Sequence, residues 1–340
     1  MNILLISPLG FPINPTAKYV GIEKLVWEYA RELVKEHAVT VMGHADSIFP
    51  IGVKVLPHKP QGDATFAELK HYQSYQYLLR SFDVIHDFSH LHLASRYNVN
   101  LPSLNIFWHA PALAKYPKAP YNIIALSQWA AREFKRIYRQ EARYQQSIVI
   151  DPEIYHPAGE RNDRFFTIGR MAPEKGNLRA LQLCMKAGVP LDVAGGRGAE
   201  KSVTEPLSDY EQACHTLAET PPNQFLGEVT DEVKVNLMQT CKALIYATDH
   251  PEVTNHKVQE CMFCGAPVIV PAIGAMPEIV TQGVDGFLCR TDEEYLTAIK
   301  NIDRLNPTQT HDAVVQKYSI KETVGNYIPL YTQVAGGLRW

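Results

Sequence analysis

The feature that most constrains this chain is a rhythm: short unbroken runs of Val, Ile and Leu separated by longer stretches of helical spacing. Apolar runs without polar alternation read as strands covered on both faces, as in parallel sheets flanked by helices. Residues 2–7 open the chain with such a run, and a Pro/Gly-rich loop covers 8–21. Ile22, Leu25, Val26, Tyr29, Ala30, Leu33 and Val34 then recur on one helical face. With a strand at 39–42 this makes a βαβ opening, the unit of a doubly wound sheet. Further strands are predicted at 83–86, 103–107, 123–125 and 148–150, and helices over 64–82 and 129–144.

Residues 151–164 are rich in Pro, Gly and charge, carry no period, and read as an interdomain linker. The rhythm then restarts. Strands are predicted at 165–168, 191–194, 244–247 and 268–270, with helices over 178–187, 230–239 and 257–263. A helical tail over 293–331 is broken at Pro307 and Pro329. The length of 340 residues suits two domains of roughly 150 each. We expect an α/β protein with a first Rossmann-like domain over 1–155, a second over 156–320, and a last segment, 321–340, that crosses back to the first.

Composition narrows the function classes. Hydrophobic residues at 46% and charged residues at 20% are ordinary for a soluble globular chain. A formal net charge of -3 supplies no global attraction to nucleic acid. No apolar run approaches the roughly eighteen residues a membrane span needs. The opening Met-Asn-Ile-Leu-Leu-Ile-Ser-Pro lacks the basic region of a signal peptide. The six cysteines, from Cys184 onward, form no compact disulfide framework, so a reducing, cytoplasmic location is expected.

Two segments carry chemistry. Gly169-Arg170-Met171-Ala172-Pro173-Glu174-Lys175-Gly176 follows a predicted strand and precedes a helix, at the sheet edge where open α/β folds bind ligands. Arg170 can fork onto phosphate oxygens and Lys175 supplies a point charge, which suits a diphosphate; an ordinary polar loop is the competing reading. Pro251-Glu252-Val253-Thr254-Asn255-His256-Lys257-Val258-Gln259-Glu260 occupies a second such junction. Its helix start offers backbone N–H groups to an anion, and Glu260 can accept from ribose hydroxyls. Two solvated carboxylates on a helix are the plainer alternative there.

At these segments the chain resembles family 4 retaining glycosyltransferases of the GT-B fold. FFTIGRMAPEKG (165–176) is similar to their strand-GR-x-x-x-x-KG element, and Glu252 and Glu260 match an E-x7-E motif. CGAPVI (264–269) and GAMPEIV (274–280) resemble the run that follows it, FLGEV (225–229) a strand, and GVDGFL (283–288) a turn. Gly21-Ile22-Glu23 at a helix start and Asp83-Val84-Ile85-His86 fit the family's first half.

The resemblance implies two Rossmann-like domains facing a cleft. It also implies metal-independent, retaining transfer from a nucleotide sugar, a UDP- or GDP-sugar, to an acceptor hydroxyl. Arg170 and Lys175 would neutralise the diphosphate, Glu252 would bind sugar hydroxyls and Glu260 the ribose. Thr254 and Asn255 would line the donor site, and Gly274, Ala275 and Met276 would form a loop near the nucleotide. Gly21 would let the first helix approach the phosphate, and His109 would face the donor sugar and acceptor. The acceptor would be a carbohydrate, a lipid-linked molecule or a small hydroxyl compound, with no nucleic acid involved.

The chain departs from the family at Val253-Thr254-Asn255, where Gly-Phe-Gly is usual, and at Val20-Gly21, where a glycine pair is usual. An Asn-Gly before the interdomain Asp is missing near Asp151. The altered Val253-Thr254-Asn255 keeps open a catalytically inactive GT-B binding or scaffold protein, and within the enzyme class a GT-B sugar-nucleotide epimerase is the rival. His86, Asp87, His90 and His92 lack a standard metal-ligand spacing and are expected to line the interdomain cleft. Cys261 and Cys264 read as small buried thiols. Arg132, Lys135, Arg136, Arg139 and Arg143 form a basic helical stripe, a solvated face or a peripheral membrane contact.

Overall fold

A computed structural model describes residues 1–13, 21–60, 64–108, 120–197 and 206–340. The chain divides into two compact units: Met1–Val149 with Tyr318–Trp340, and Ile150–Lys317. Each holds one all-parallel sheet, and the architecture is the two-sheet, Rossmann-like GT-B fold.

The first unit begins β1 (Asn2–Ile6), α1 (Ile22–Leu33), β2 (Ala38–His44), β3 (Lys54–His58) and α2 (Ala64–Tyr75). It continues β4 (Val84–Asp87), α3 (Leu93–Tyr97), β5 (Ser103–Phe107), β6 (Ile123–Ala125), α4 (Gln128–Tyr138) and β7 (Ala142–Tyr144). The sheet order is β3-β2-β1-β4-β5-β6-β7, so the strand order reverses beside β1. Ile3, Leu4 and Leu5 have no exposed surface, as an unbroken apolar run requires. The apolar face of α1, from Leu25 to Leu33, is buried as its spacing demands.

Several elements of this unit differ from the sequence reading. β3 is a half-exposed edge strand holding Pro57, a residue that weakens any strand reading and that a sheet accepts at its edge. The helix expected over 129–144 stops at Tyr138, because Arg139 adopts a left-handed conformation (φ 55°) and the chain enters β7. Residues 148–150, expected as a strand, form none. They are buried, and side chains reach this stretch instead: Gln146 Nε2 donates to the Ile148 carbonyl at 3.2 Å.

The second unit runs β8 (Phe165–Ile168), α5 (Asn177–Ala187), β9 (Leu191–Ala194), α6 (Asp209–Ala218), β10 (Gln224–Gly227), α7 (Asp231–Thr240) and β11 (Ala243–Ile245). Then follow α8 (His256–Phe263), β12 (Val268–Pro271), α9 (Met276–Ile279), β13 (Gly286–Cys289), α10 (Asp292–Asn301) and α11 (Pro307–Tyr318). Its order is β10-β9-β8-β11-β12-β13, which places the reversal between β8 and β11. α6 has a full capping box, with Ser208 and Glu211 each satisfying the other's backbone N–H. The core includes Phe165, Leu181, Leu191, Val193, Ile245, Ile269 and Tyr295.

The chain returns to the first unit through α12 (Ile320–Gly325) and α13 (Tyr327–Ala335). The helices part at Asn326 and not at the expected Pro329, which sits in the first turn of α13, where a missing N–H costs little. Tyr327 shares a hydrogen bond with Ser147 Oγ at 2.5 Å.

Candidate functional site

In an open parallel sheet the loops leaving two strands on either side of the reversal diverge, and the gap between them opens at the carboxyl edge. In the second unit these are the loops after β8 and β11. The first carries Arg170 and Lys175, the second Glu252.

Glycines let the loops close on each other. Gly176 has φ 71°, and a Cβ there would overlap the Ala247 carbonyl at the end of β11. Thr248 Oγ1 donates to the Glu174 carbonyl at 2.7 Å, pinning the same turn. A Cβ on Gly195, after β9, would overlap the Gly169 carbonyl. Asn177 Nδ2 donates to the Arg170 carbonyl at 2.8 Å. Gly274 (φ 59°) lies against the Glu252 backbone, and the Ala275 N–H donates to the Glu252 carbonyl at 2.9 Å. The Gly274–Met276 loop therefore props the segment that carries Glu252.

The side chains meet across the reversal. Lys175 Nζ lies 2.6 Å from Glu252 Oε1. Asn255 Nδ2 donates to Glu252 Oε2 at 2.6 Å, while its Oδ1 caps α8 by accepting from the Val258 N–H at 3.3 Å. Both oxygens of Glu252 are thus engaged. Burial pushes this carboxyl up, but Lys175 and Lys257 outweigh it and hold it below the usual carboxylate range. Arg170 pairs with Glu174 at 3.2 Å.

Glu260 sits apart from this pair. Its carboxylate lies 3.3 Å from Lys234 Nζ on α7, and Lys234 lies over the Tyr155 ring. Burial opposes the Lys234 charge, and Glu260, Tyr155 and Asp231 more than compensate, so its basicity is raised. Thr254 Oγ1 makes a long contact, 3.5 Å, with Gln259 Oε1.

Lys257 was not singled out from the sequence, yet it belongs to this cluster. Its ammonium donates to the Ile168 carbonyl at 2.8 Å and lies 4.6 Å from the Tyr246 ring centre. The signal was its place at the start of the helix between the two glutamates. Lys234 was likewise legible only as an ordinary helix lysine, whereas Asn255, expected to line the donor site, bonds Glu252 and caps α8.

Other expected residues fare differently. Gly21 precedes α1 with φ -84° and open space where a Cβ would stand, so nothing in its own unit requires glycine. His109 lies outside the described residues. His86 does not line a cleft: it is fully buried, hydrogen-bonded to the Tyr331 hydroxyl at 2.7 Å, and burial lowers its pKa to about 3. Asp87 and His92 are buried too. Among the described residues no three His, Cys, Asp or Glu side chains are grouped to hold a metal ion. All six cysteines are free and buried. The basic stripe is broken, since Arg139 and Arg143 lie beyond α4. Lys135 pairs with Glu141, Arg136 with Glu133, and Arg143 stacks on Trp340. Among the described residues no helix is long and apolar enough to cross a membrane.

Comparison with known proteins bears on the fold and on part of the second unit. The family model described as Glycosyl transferases group 1 matches residues 162–303, the stretch that holds both loops. No curated protein matches the sequence. Among solved structures, AviGT4, a glycosyltransferase involved in avilamycin A biosynthesis, is similar at TM-score 0.73 and 18% identity, covering 100% of this chain and 99% of its own. Anabaena HepE in complex with UDP and glucose is similar at TM-score 0.73 and 17% identity, covering 99% and 100%. Sucrose-phosphate synthase from Thermosynechococcus elongatus is similar at TM-score 0.77 and 13% identity, covering 99% and 100%.

Proposed function

We propose that the chain is a family 4 glycosyltransferase that moves a sugar, a hexose, from a nucleotide-sugar donor to an acceptor hydroxyl, with retention and without a metal. The observation that carries this reading is the Lys175–Glu252 pair across the strand-order reversal of the second sheet, with Arg170 on the same loop as Lys175. Cations fixed beforehand at that edge stabilise the charge a leaving diphosphate acquires. The acceptor oxygen bonds to the anomeric carbon as the carbon–oxygen bond to the β-phosphate breaks. That electron pair stays on the phosphate oxygen, which takes the hydroxyl proton. Attack and departure share one face, which retains configuration.

Glu252 anchors sugar hydroxyls, Glu260 the ribose, and Thr254 and Asn255 complete the donor site. HepE binds UDP and UDP-glucose, which supports a UDP-sugar here, with a GDP-sugar as the other candidate. The acceptor is a carbohydrate, a lipid-linked molecule or a small hydroxyl compound, held chiefly by the first unit. Six free buried thiols fit a reducing, cytoplasmic compartment.

Turnover of UDP- and GDP-sugars with Arg170→Ala and Lys175→Ala tests the reading. Each variant is expected to lose about 10²- to 10³-fold in kcat, and EDTA is expected to leave the wild type unchanged. Near-wild-type turnover in both variants refutes the diphosphate assignment. Activity lost in EDTA and restored by a divalent ion refutes metal independence. One observation favours a second reading, an inactive binding protein: Glu252 already has both oxygens occupied. Nucleotide binding with no transfer or hydrolysis would select it.

A further inference from the structure

The charges at the carboxyl edge of β8 do not balance. Arg170 faces Glu174 and Lys175 faces Glu252, so each of these cations has its own carboxylate. Lys257 has none in ion-pair contact among the described residues. Its polar partner is a neutral carbonyl, that of Ile168. Three cations against two carboxylates leave one positive charge unmatched, and it resides on Lys257.

Its position is specific. A Cβ built on Gly169 would stand 2.8 Å from Lys257 Nζ, and 3.8 and 3.9 Å from Cβ and Cγ of Lys175. The ammonium therefore takes the place of a side chain on the first residue of the phosphate loop, beside the stem of Lys175. The bare Gly169 backbone removes the one side chain that would separate it from a ligand on that loop. An unmatched, half-buried ammonium is costly without an anion to face. Burial lowers its basicity, to about 8, with Glu252 and Glu260 opposing the shift and Lys175 and Arg170 adding to it.

We propose that Lys257 is a third donor-contacting cation, whose ammonium takes up the charge of the nucleoside diphosphate that Arg170 and Lys175, already matched by Glu174 and Glu252, leave uncompensated. This rests on the reading of the second unit as a nucleotide-sugar site. A neutral residue at 257 would force the diphosphate to compete with Glu174 or Glu252 for every cation. With Lys257 present, the first anionic charge enters without breaking either pair.

The test is calorimetric titration of the wild type, Lys257→Met and Lys257→Arg with UDP, GDP and ADP, and with the matching nucleosides, at pH 7 and pH 9. Lys257→Met is expected to weaken diphosphate binding about ten- to a hundredfold at pH 7 while nucleoside binding holds. Lys257→Arg is expected to keep most of the affinity. The groups facing the ammonium are Glu252 after β11, Arg170 and Lys175 after β8, Glu260 on α8 and the Tyr246 ring. It is charged below about pH 8 and neutral above. Wild-type affinity therefore falls between pH 7 and 9, whereas that of Lys257→Arg does not follow. A role confined to capping Ile168 would shift the melting temperature and weaken diphosphate and nucleoside alike, and that result overturns the proposal. So does a Lys257→Met protein that binds diphosphate within twofold of wild type. Should Lys257→Met not fold, Lys257→Gln carries the same comparison. A wild type that binds no nucleoside diphosphate overturns the underlying site reading as well, and is told apart by that fact.

Discussion

The two units share one topology and use it in opposite electrostatic ways. In the second unit the reversal point gathers three cations, and a carboxylate there is held ionised, with Lys175 2.6 Å from Glu252. In the first unit the corresponding region gathers carboxylates: Glu23 on α1, Glu68 on α2 and Asp87 at the end of β4. Burial raises Glu23 to about 7 and Glu68 to about 7; Asp87 adds to the rise at Glu68. The lesson is that a doubly wound sheet supplies a place for a ligand, while the loop residues choose its charge. The second unit is prepared for an anion; in the first, burial pushes Glu23 and Glu68 toward their neutral forms.

Removing a carboxylate charge should therefore hurt one unit and help the other. The largest effect is expected for Glu252→Gln. The exchange leaves Lys175 without its partner, and the paired side chains are only 24% and 19% exposed. A loss of about 1–3 kcal/mol in the second unit follows. Loss of the sugar anchor should lower kcat/KM about 10²-fold, with affinity for the free nucleotide retained. Because the folded-state pKa is depressed, the stabilising contribution is present above about pH 4.5 and is lost only as pH falls through the folded value. Chemical denaturation and steady-state kinetics check both parts. An unchanged midpoint would mean that the pair is decorative and the contrast between the units is one of appearance.

A comparable effect on stability, through geometry alone, is expected for Gly176→Ala. The added methyl meets the Ala247 carbonyl, and φ 71° is unfavourable for alanine. We expect about 1–3 kcal/mol of destabilisation. Activity should fall further than stability, since the same turn holds Lys175. Thermal melting with and without UDP measures it. Equal melting temperatures for variant and wild type would show that the two loops need not touch.

Much of this fold is legible in the sequence. The βαβ opening is legible because β1 and α1 differ in period, one an unbroken apolar run and the other a face at helical spacing. Lys175 and Glu252 lie 77 residues apart and meet only through strand order, which no local pattern reports; resemblance brought them together. β3 was hidden because edge exposure and Pro57 erase the strand pattern. The stop of α4 was hidden because arginine, not glycine, takes the left-handed turn at 139. His86 looked like a cleft residue next to Asp87; its burial depends on Tyr331, which returns from the far end of the chain. Lys257 was hidden because a lysine in the first turn of a helix ordinarily points to solvent.

The smallest effect, and the one that most sharpens the comparison, is expected for Glu23→Gln. Glu23 is 6% exposed, and burial raises it to about 7 from an unfolded value near 4.5. A raised acid binds its proton more tightly when folded, so its stability contribution is full at low pH and is lost as pH rises from about 4.5 to about 7. Glu68 acts in the same direction, whereas His86 and His71, lowered to about 3 and about 4, act in the other. These titrations oppose one another in the wild type, so the readable quantity is the difference between variant and wild type. Near pH 4 both side chains are neutral and that difference is small. By pH 8 only the wild type carries a buried charge at 23, and the variant should be more stable by about 1–2 kcal/mol. Hydrogen exchange at β1 and β4 amides, followed from pH 4 to 8, isolates the first unit. A difference that does not grow with pH would place the Glu23 proton elsewhere, and the first unit would then hold its acids charged, as the second holds Glu252.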